Sequence, residues 1–318
     1  MSDPSSSLPR VIINGLPQPV GDSFLKGHID IAPWSLTQTG DTAVQGIYMV
    51  GHDAMTAAIM DRLPALKVIS TCSVGVDHID VKAAQHRNIK VGHTPGVLDA
   101  CVADCAMGLL IMAARRFAAG TRQARSPQWT ALNHNQMLGR DVSGAALGIL
   151  GMGNIGMQIA RRAAAFDMPI LYHNRSRKPD AEVVTGAQYV SFDDLLRESD
   201  FLVLMTPLTE KTRGIISASA LAKMKPTATL INMARGPVVD TAALTQAMMD
   251  KQIEHAALDV TDPEPLPRDH PLLTMDNVTI LPHLGSATIQ TRTKMAQVSA
   301  ENLLRGLRGE PLLHEAKA

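Results

Sequence analysis

The sequence predicts an α/β protein made of two doubly wound parallel-sheet domains. Three observations carry this. Short apolar runs alternate with segments of helical spacing along most of the chain, the pattern of parallel strands joined by crossover helices. One run, Leu147-Gly148-Ile149-Leu150, leads into Gly151-x-Gly153-x-x-Gly156 and then a helical stretch, Met157 to Asp167. That glycine turn lies near the middle of the chain, so a whole set of strands and helices precedes it.

In order, Arg10-Val11-Ile12-Ile13-Asn14 starts the first unit as a strand. Ile29-Asp30-Ile31 and Ile47-Tyr48-Met49-Val50 read as further strands, and Ala54 to Leu63 as a helix. Leu66 to Ser70 is a strand that runs into Cys72-Ser73-Val74-Gly75-Val76-Asp77. A short helix, Ile79 to Arg87, and a strand, Ile89 to Val91, complete this part. Thr94-Pro95-Gly96 breaks the pattern. Leu98 to about Arg125 then reads as one long helix, apolar at Val102, Cys105, Ala106, Leu109, Leu110 and Ala113, and ended by Ser126-Pro127. Gln128 to Gly144 reads as a loop.

After the glycine turn, Ile170 to His173 is the next strand, and Ser191 caps a helix to Leu196. Phe201 to Met205 is a strand ending at Thr206-Pro207, and Ser217 to Met224 is helical. Thr229 to Asn232 is a strand ending in Met233-Ala234-Arg235-Gly236. Asp240 caps a helix to Lys251. Ala256 to Val260 and Val278 to Leu281 are the last strands, and Ser286 caps a helix to about Leu307. That final helix has no strand to follow, so it is expected to return to the first unit. The expected division is a split domain, 1–98 and 287–318, around a nucleotide domain, 99–286.

The 318 residues can build two domains, each with its own core. Thirty basic and 30 acidic residues give a formal net charge of zero, which argues against a nucleic-acid or membrane-surface partner. No apolar run has the length of a membrane span. Met1 to Ser7 lacks the charged and apolar regions of a signal peptide and is expected to be a disordered tail. The 3 cysteines, Cys72, Cys101 and Cys105, belong to no Cys/His cluster and are expected to be reduced, buried residues of a cytoplasmic protein. No metal site is expected.

The glycine turn has a physical logic. Gly151 allows the tight turn, Gly153 lets the backbone approach a pyrophosphate, and Gly156 lets the helix pack close to the strand. The helix N-terminus, at Asn154 and Ile155, offers N–H groups and partial positive charge to phosphates. Downstream, Arg235, Glu264 and His283 follow strand carboxyl ends, the edge where open α/β sheets bind ligands. Reduction of a 2-keto acid needs a hydride at the carbonyl carbon and a proton at its oxygen. His283 can supply the proton, since imidazole titrates near neutrality. Glu264 would favour the imidazolium, and Arg235 can grip a carboxylate at two points.

Further blocks stand in the same order along the chain: Ser73-Val74-Gly75-Val76-Asp77-His78-Ile79-Asp80; Thr94-Pro95 with Val102-Ala103-Asp104; Thr206-Pro207-Leu208-Thr209; Asn232-Met233-Ala234-Arg235-Gly236; Leu258-Asp259-Val260 with Glu264-Pro265-Leu266; and Pro282-His283-Leu284-Gly285-Ser286. Together with Gly151 to Gly156 they resemble the D-isomer-specific 2-hydroxyacid dehydrogenase family, and within it the glyoxylate/hydroxypyruvate reductases. The resemblance implies two Rossmann-like domains, the discontinuous substrate domain being flavodoxin-like. It implies that Val74 and Gly75 bind the substrate carboxylate through backbone N–H groups, alongside Arg235 and His283. Val102, Thr206 and Pro207 are implied to line the cofactor site, with Asp259 near the nicotinamide carboxamide. It also implies a homodimer built on the long helical stretch.

Two departures from the family pattern matter. NAD-preferring members carry an Asp at the end of the second nucleotide-domain strand, where it binds ribose hydroxyls. Here Asn174 stands there, followed by Arg175, Ser176, Arg177 and Lys178. A neutral amide with cations and a hydroxyl suits a 2′-phosphate, so NADPH is expected, with NADH weaker. Some such reductases also carry two tryptophans before the glycine motif; here Trp129 is present, and Ala131 and Leu132 occupy the region of the second. The expected function is NADPH-dependent reduction of glyoxylate and hydroxypyruvate, with Arg235, Glu264 and His283 as the catalytic set. The alternatives are reduction of bulkier 2-keto acids (2-ketogluconate, hydroxyphenylpyruvate) and a non-catalytic nucleotide-sensing protein on the same fold.

Overall fold

A computed structural model describes residues 8–14 and 23–317; the tail Met1 to Ser7 lies outside them. The chain divides into two compact units, Met1–Leu98 with Thr288–Ala318, and Asp99–Ala287.

In the first unit, β1 (Arg10–Asn14), β2 (Asp30–Ala32), β3 (Val44–Met49), β4 (Val68–Thr71) and β5 (Lys90–Gly92) form a parallel sheet in the order β2-β1-β3-β4-β5. This is the flavodoxin-like order, with its reversal between β1 and β3. At that reversal Asn14 accepts N–H groups of Val50 and Gly51 and donates to Asp53, so the loop after β3 is fixed to the end of β1. One face carries α1 (Leu36–Thr39), α2 (Ala57–Asp61) and α3 (Val81–His86) over an aliphatic core that includes Ile12, Ile47, Met60 and Ile69. The C-terminal helix, Ile289–Leu307, covers the other face, burying Leu303 and Ala300 against Val11, Tyr48 and Val68. Its N-cap is Thr288, whose hydroxyl accepts from Thr291, and not the expected Ser286. Ser286 is buried in the turn closed by the bond from Ala287 N–H to the Leu284 carbonyl, which delays the helix start.

In the second unit, β6 (Leu147–Leu150), β7 (Ile170–His173), β8 (Gln188–Tyr189), β9 (Phe201–Leu204), β10 (Thr229–Asn232), β11 (His255–Leu258) and β12 (Val278–Ile280) form a parallel sheet. The order is β12-β11-β10-β9-β6-β7-β8, the Rossmann order extended by one strand. β6, β9, β10 and β11 are buried along their whole length, as a sheet covered by helices on both faces requires. The helices are α4 (Asp99–Ala114), α5 (Phe117–Ala124), α6 (Asn154–Ala164), α7 (Pro179–Thr185), α8 (Phe192–Glu198), α9 (Ala218–Leu221) and α10 (Thr241–Met249). Ser191 and Asp240 cap α8 and α10 as expected, each accepting an N–H three residues on.

The single long helix expected from Leu98 to Arg125 is two helices. Arg116 adopts the left-handed conformation, φ 53°, and splits α4 from α5. The carbonyl of Ala114 accepts the N–H of Arg140 at 2.8 Å, so a distant loop takes the acceptor that would have continued the helix. The segment Gln128 to Gly144 contains no helix or strand, as expected. Cys72, Cys101 and Cys105 are all thiols; Cys72 is buried, whereas Cys101 and Cys105 are only partly covered. No helix among the described residues is long and apolar enough to cross a membrane.

Candidate active site

The sheet of the second unit reverses its winding between β6 and β9, and the carboxyl edge at such a reversal is where open α/β sheets bind ligands. The glycine turn sits at this point. Gly151 has φ 110°, and a Cβ on it would lie 2.6 Å from the backbone of Met205 and Thr206. A Cβ on Gly156 would lie 2.5 Å from the Gly151 carbonyl oxygen, so α6 packs on the turn only because that side chain is missing. A Cβ on Gly153 would meet nothing within 4 Å. The turn is thus closed against protein at Gly151 and Gly156 and open at Gly153, at the N-terminus of α6. That is the shape and polarity a pyrophosphate needs.

Asn174, one residue past β7, is committed to this turn. Its Oδ1 accepts the Met152 N–H at 2.6 Å and its Nδ2 donates to the Met152 carbonyl at 3.1 Å. The basic residues that follow are not equivalent. Arg177 makes two short bonds to Glu182, from Nε at 2.7 Å and from Nη2 at 2.6 Å, whereas Arg175 and Ser176 are exposed at the tip of the loop.

Three strands further on, the side chains past β10, β11 and β12 are locked together by backbone contacts. Asn232 accepts the Ala234 N–H and donates to the Arg235 carbonyl, which shapes the turn carrying Arg235. A Cβ on Gly236 would fall 1.9 Å from the Thr261 carbonyl oxygen, so the Arg235 turn lies directly on the loop that leads to Glu264. Leu266, buried, anchors the far end of that loop. His283 Nδ1 faces Glu264 Oε1 at 2.8 Å, with both side chains partly exposed. With Nδ1–H donating to the carboxylate, Nε2 is the nitrogen that can carry a proton to a bound oxygen.

Asp259, expected beside a nicotinamide, is 3% exposed. Its Oδ1 and Oδ2 accept the N–H groups of Leu284 and Gly285 at 2.6 and 2.9 Å, while its carbonyl accepts the N–H of His283. It therefore holds the segment that presents His283. Val102, Met233 and Asp259 all converge on the position of Gly285. Burial, helped by the charge of Asp259, pushes the Cys105 thiol up to about 11, which leaves it protonated at neutral pH. Among the described residues no group of three or more His, Cys, Asp or Glu side chains is placed to hold a metal ion.

In the first unit, the turn carrying Val74 and Gly75 follows β4. Its carbonyls accept Thr94 N–H at Ser73, His93 Nδ1 at Val74 at 3.0 Å and the Ser73 hydroxyl at Gly75, and the Ser73 hydroxyl also lies 3.1 Å from that of Thr71.

The model of the D-isomer specific 2-hydroxyacid dehydrogenase NAD-binding domain matches residues 107–285. A glyoxylate reductase of Thermofilum pendens is 45% identical over 260 residues, spanning 81% of this chain and 77% of its own. The chain belongs to the D-isomer-specific 2-hydroxyacid dehydrogenase family. A glyoxylate/hydroxypyruvate reductase B of Klebsiella pneumoniae is 40% identical over 96% of both chains. The crystal structure of an NADPH-dependent glyoxylate/hydroxypyruvate reductase from Sinorhizobium meliloti, with NADP and malonate, superposes with a TM-score of 0.89 at 30% identity, covering 98% of this chain and 97% of that one. As a D-2-hydroxyacid dehydrogenase the protein is an oxidoreductase with a pyridine-nucleotide-binding domain, and the open glycine cradle fits such a cofactor.

Asn232 and the clamp made by Asp259 are the parts of this site that sequence reasoning missed. An Asn ending a strand just before a turn with Arg235 was the available signal for the first. The second joins loops of adjacent strands and has no local signature.

Proposed function

We propose that the enzyme reduces small 2-keto acids, glyoxylate and hydroxypyruvate, with NADPH preferred over NADH and His283 as the general acid. The observation that carries the reading is the bond between His283 Nδ1 and Glu264 Oε1, on the sheet edge that also presents Arg235. The names of the Thermofilum and Klebsiella relatives, and the malonate and NADP in the Sinorhizobium structure, support the substrate size and the cofactor.

Each residue then has a defined task. Gly151, Gly153, Asn154, Ile155 and Gly156 receive the pyrophosphate, and Val102, Thr206, Pro207 and Asp259 border the nicotinamide side. Arg175 and Ser176 meet a 2′-phosphate, and Asn174 fixes the glycine turn. When bound, NADPH supplies the hydride that reaches the carbonyl carbon. Arg235 grips the carboxylate at two points and fixes the direction of the carbonyl. Val74 and Gly75 offer backbone N–H groups to the same carboxylate. His283 delivers a proton from Nε2 to the carbonyl oxygen as negative charge builds there, and Glu264 holds the imidazolium while it does so.

The 1–98 and 287–318 segments are assigned as the substrate-binding domain and 99–286 as the dinucleotide domain. The active form is assigned as a homodimer. Phe117 on α5 and Trp129, Leu132, Met137 and Leu138 on the following loop are large apolar side chains exposed in one region of the chain, which a second copy would cover.

The test is NADPH and NADH oxidation against a panel of glyoxylate, hydroxypyruvate, 2-ketogluconate and hydroxyphenylpyruvate. The reading expects the highest kcat/KM with the two small acids and NADPH. Preference for the bulkier acids would shift the substrate class, and nucleotide binding without turnover of any acid would favour a sensing role.

A further inference from the structure

The loop between β7 and α7 contains more positive charge than it presents. Its two ends are fixed. Asn174 is tied by its side chain to Met152, and its carbonyl accepts the hydroxyl of Tyr189. At the other end the Lys178 N–H donates to the hydroxyl of Tyr172, a residue buried in β7. That hydroxyl in turn donates to Glu182 Oε1 at 2.7 Å, and Glu182, on α7, also takes both bonds from Arg177. The Glu182 side chain is only 15% exposed, while that of Arg177 is 65% exposed. The bonds from Arg177, and then from Tyr172, hold the Glu182 carboxyl down at about 2, so the acid stays charged and keeps its grip at any pH of enzymatic interest.

A planar guanidinium that already spends Nε and Nη2 on one carboxylate has its side-on edge occupied and its charge paired, so a second anion finds only the end-on edge of an already neutralised group. Arg175 and Ser176 lie between the two fixed ends and make no such bond in this loop. We propose that Glu182 is a specificity-determining residue: it takes up the charge of Arg177, leaves recognition of a 2′-phosphate to Arg175 and Ser176, and so caps the preference for NADPH. This rests on the proposed use of NADPH, and it makes the enzyme more tolerant of NADH than the run of basic residues suggests. Tyr172 is the positioning residue, since its hydroxyl joins Glu182 to the Lys178 backbone.

Calorimetric titration of the intact protein with 2′,5′-ADP and with 5′-AMP isolates the 2′-phosphate without relying on turnover. Glu182→Gln keeps an acceptor for the Tyr172 hydroxyl and releases Arg177, so the ratio of the two affinities should rise about tenfold, the worth of one added charge-assisted contact. The double variant Arg177→Ala/Glu182→Gln has the wild-type net charge and should return the ratio to the wild-type value. An unchanged ratio in Glu182→Gln overturns the proposal. So does a double variant whose ratio falls well below wild type, because Arg177 would then already serve the phosphate. The NADPH reading fails separately, if the wild-type protein binds both nucleotides equally and Arg175→Ala changes neither. A ratio that rises in Glu182→Gln from such a starting point would still support the role of Glu182.

Discussion

His283 occupies the left-handed region, φ 56°, which costs a non-glycine residue about 1–2 kcal/mol. The cost is sustained by Asp259, which receives the N–H groups of Leu284 and Gly285 on its carboxylate and that of His283 on its carbonyl. The imidazole is thereby delivered to Glu264 by backbone that cannot relax. His283→Ala should lower kcat by roughly 10²–10⁴, the usual worth of a positioned general acid, and leave NADPH affinity near wild type. Stopped-flow turnover and a fluorescence titration check the two halves, and a variant at full rate would remove His283 from the mechanism. Glu264→Gln keeps an acceptor opposite Nδ1 but not its charge, so the loss in kcat should be smaller, about 10–100-fold. That Arg235, Glu264 and His283 follow the carboxyl ends of adjacent strands was legible in the sequence, because each comes shortly after a short apolar run. The commitments of Asp259 and Arg177 were not legible. Both depend on partners reached across a turn or a neighbouring strand, which no spacing rule encodes.

At the level of elements, strand cores were easy to read and helix ends were not. β1, β7 and β10 have the predicted bounds, since a buried parallel strand is a short apolar run between breakers. The break at Arg116 was invisible, because its cause is Arg140 binding the Ala114 carbonyl from another loop. Helix α7 was missed although its Pro179 at the start and Gly186 just after its end, φ 70°, are ordinary boundary signals. Its apolar residues Val183 and Val184 are exposed, so the periodicity of a buried face was absent. Glycines carry a sharper prediction. A Cβ on Gly306, in the C-terminal helix, would fall 2.5 Å from the Cβ of Val68 on β4. Alanine gains up to about 1 kcal/mol in helix propensity, whereas overpacking against a β-carbon that cannot swing aside costs about 1–3 kcal/mol. The clash wins, and Gly306→Ala should lower the midpoint of urea unfolding. An equal or higher midpoint would mean that the helix shifts freely on the sheet.

For the whole molecule, alternating strands and helices were enough to name the fold class; the flavodoxin-like and Rossmann strand orders were implied by the family resemblance and not by local pattern, which does not fix which strands pair in space. The same holds for assembly. Phe117, Trp129, Leu132 and Leu138 are exposed apolar side chains, and if the proposed homodimer covers them, light scattering at micromolar concentration should give twice the chain mass. A monomer there would refute the assignment. Global stability should also carry a signature of His255, which begins β11, is 6% exposed and bonds Thr279. Burial, with a smaller contribution from the charge of Arg116, lowers its pKa from 6.5 to about 4. In the unfolded chain the ring takes a proton below about pH 6.5, while in the folded chain it stays neutral until about pH 4. Between those values the unfolded state binds more protons, so stability is full above the window and falls as the pH is lowered through it. The carboxylates whose pKa values are lowered, Glu182, Asp194, Asp200 and Glu310, start to cost stability only as the pH falls to about 5 and enters the ordinary carboxylate range, so the upper part of the window belongs to His255 among these groups. From pH 6.5 to pH 5 this one residue should remove about 1.5 kcal/mol. Urea unfolding of wild type and His255→Gln across that range provides the measurement. Gln cannot titrate, so the two stabilities should converge as the pH falls. A constant difference would remove His255 as the cause.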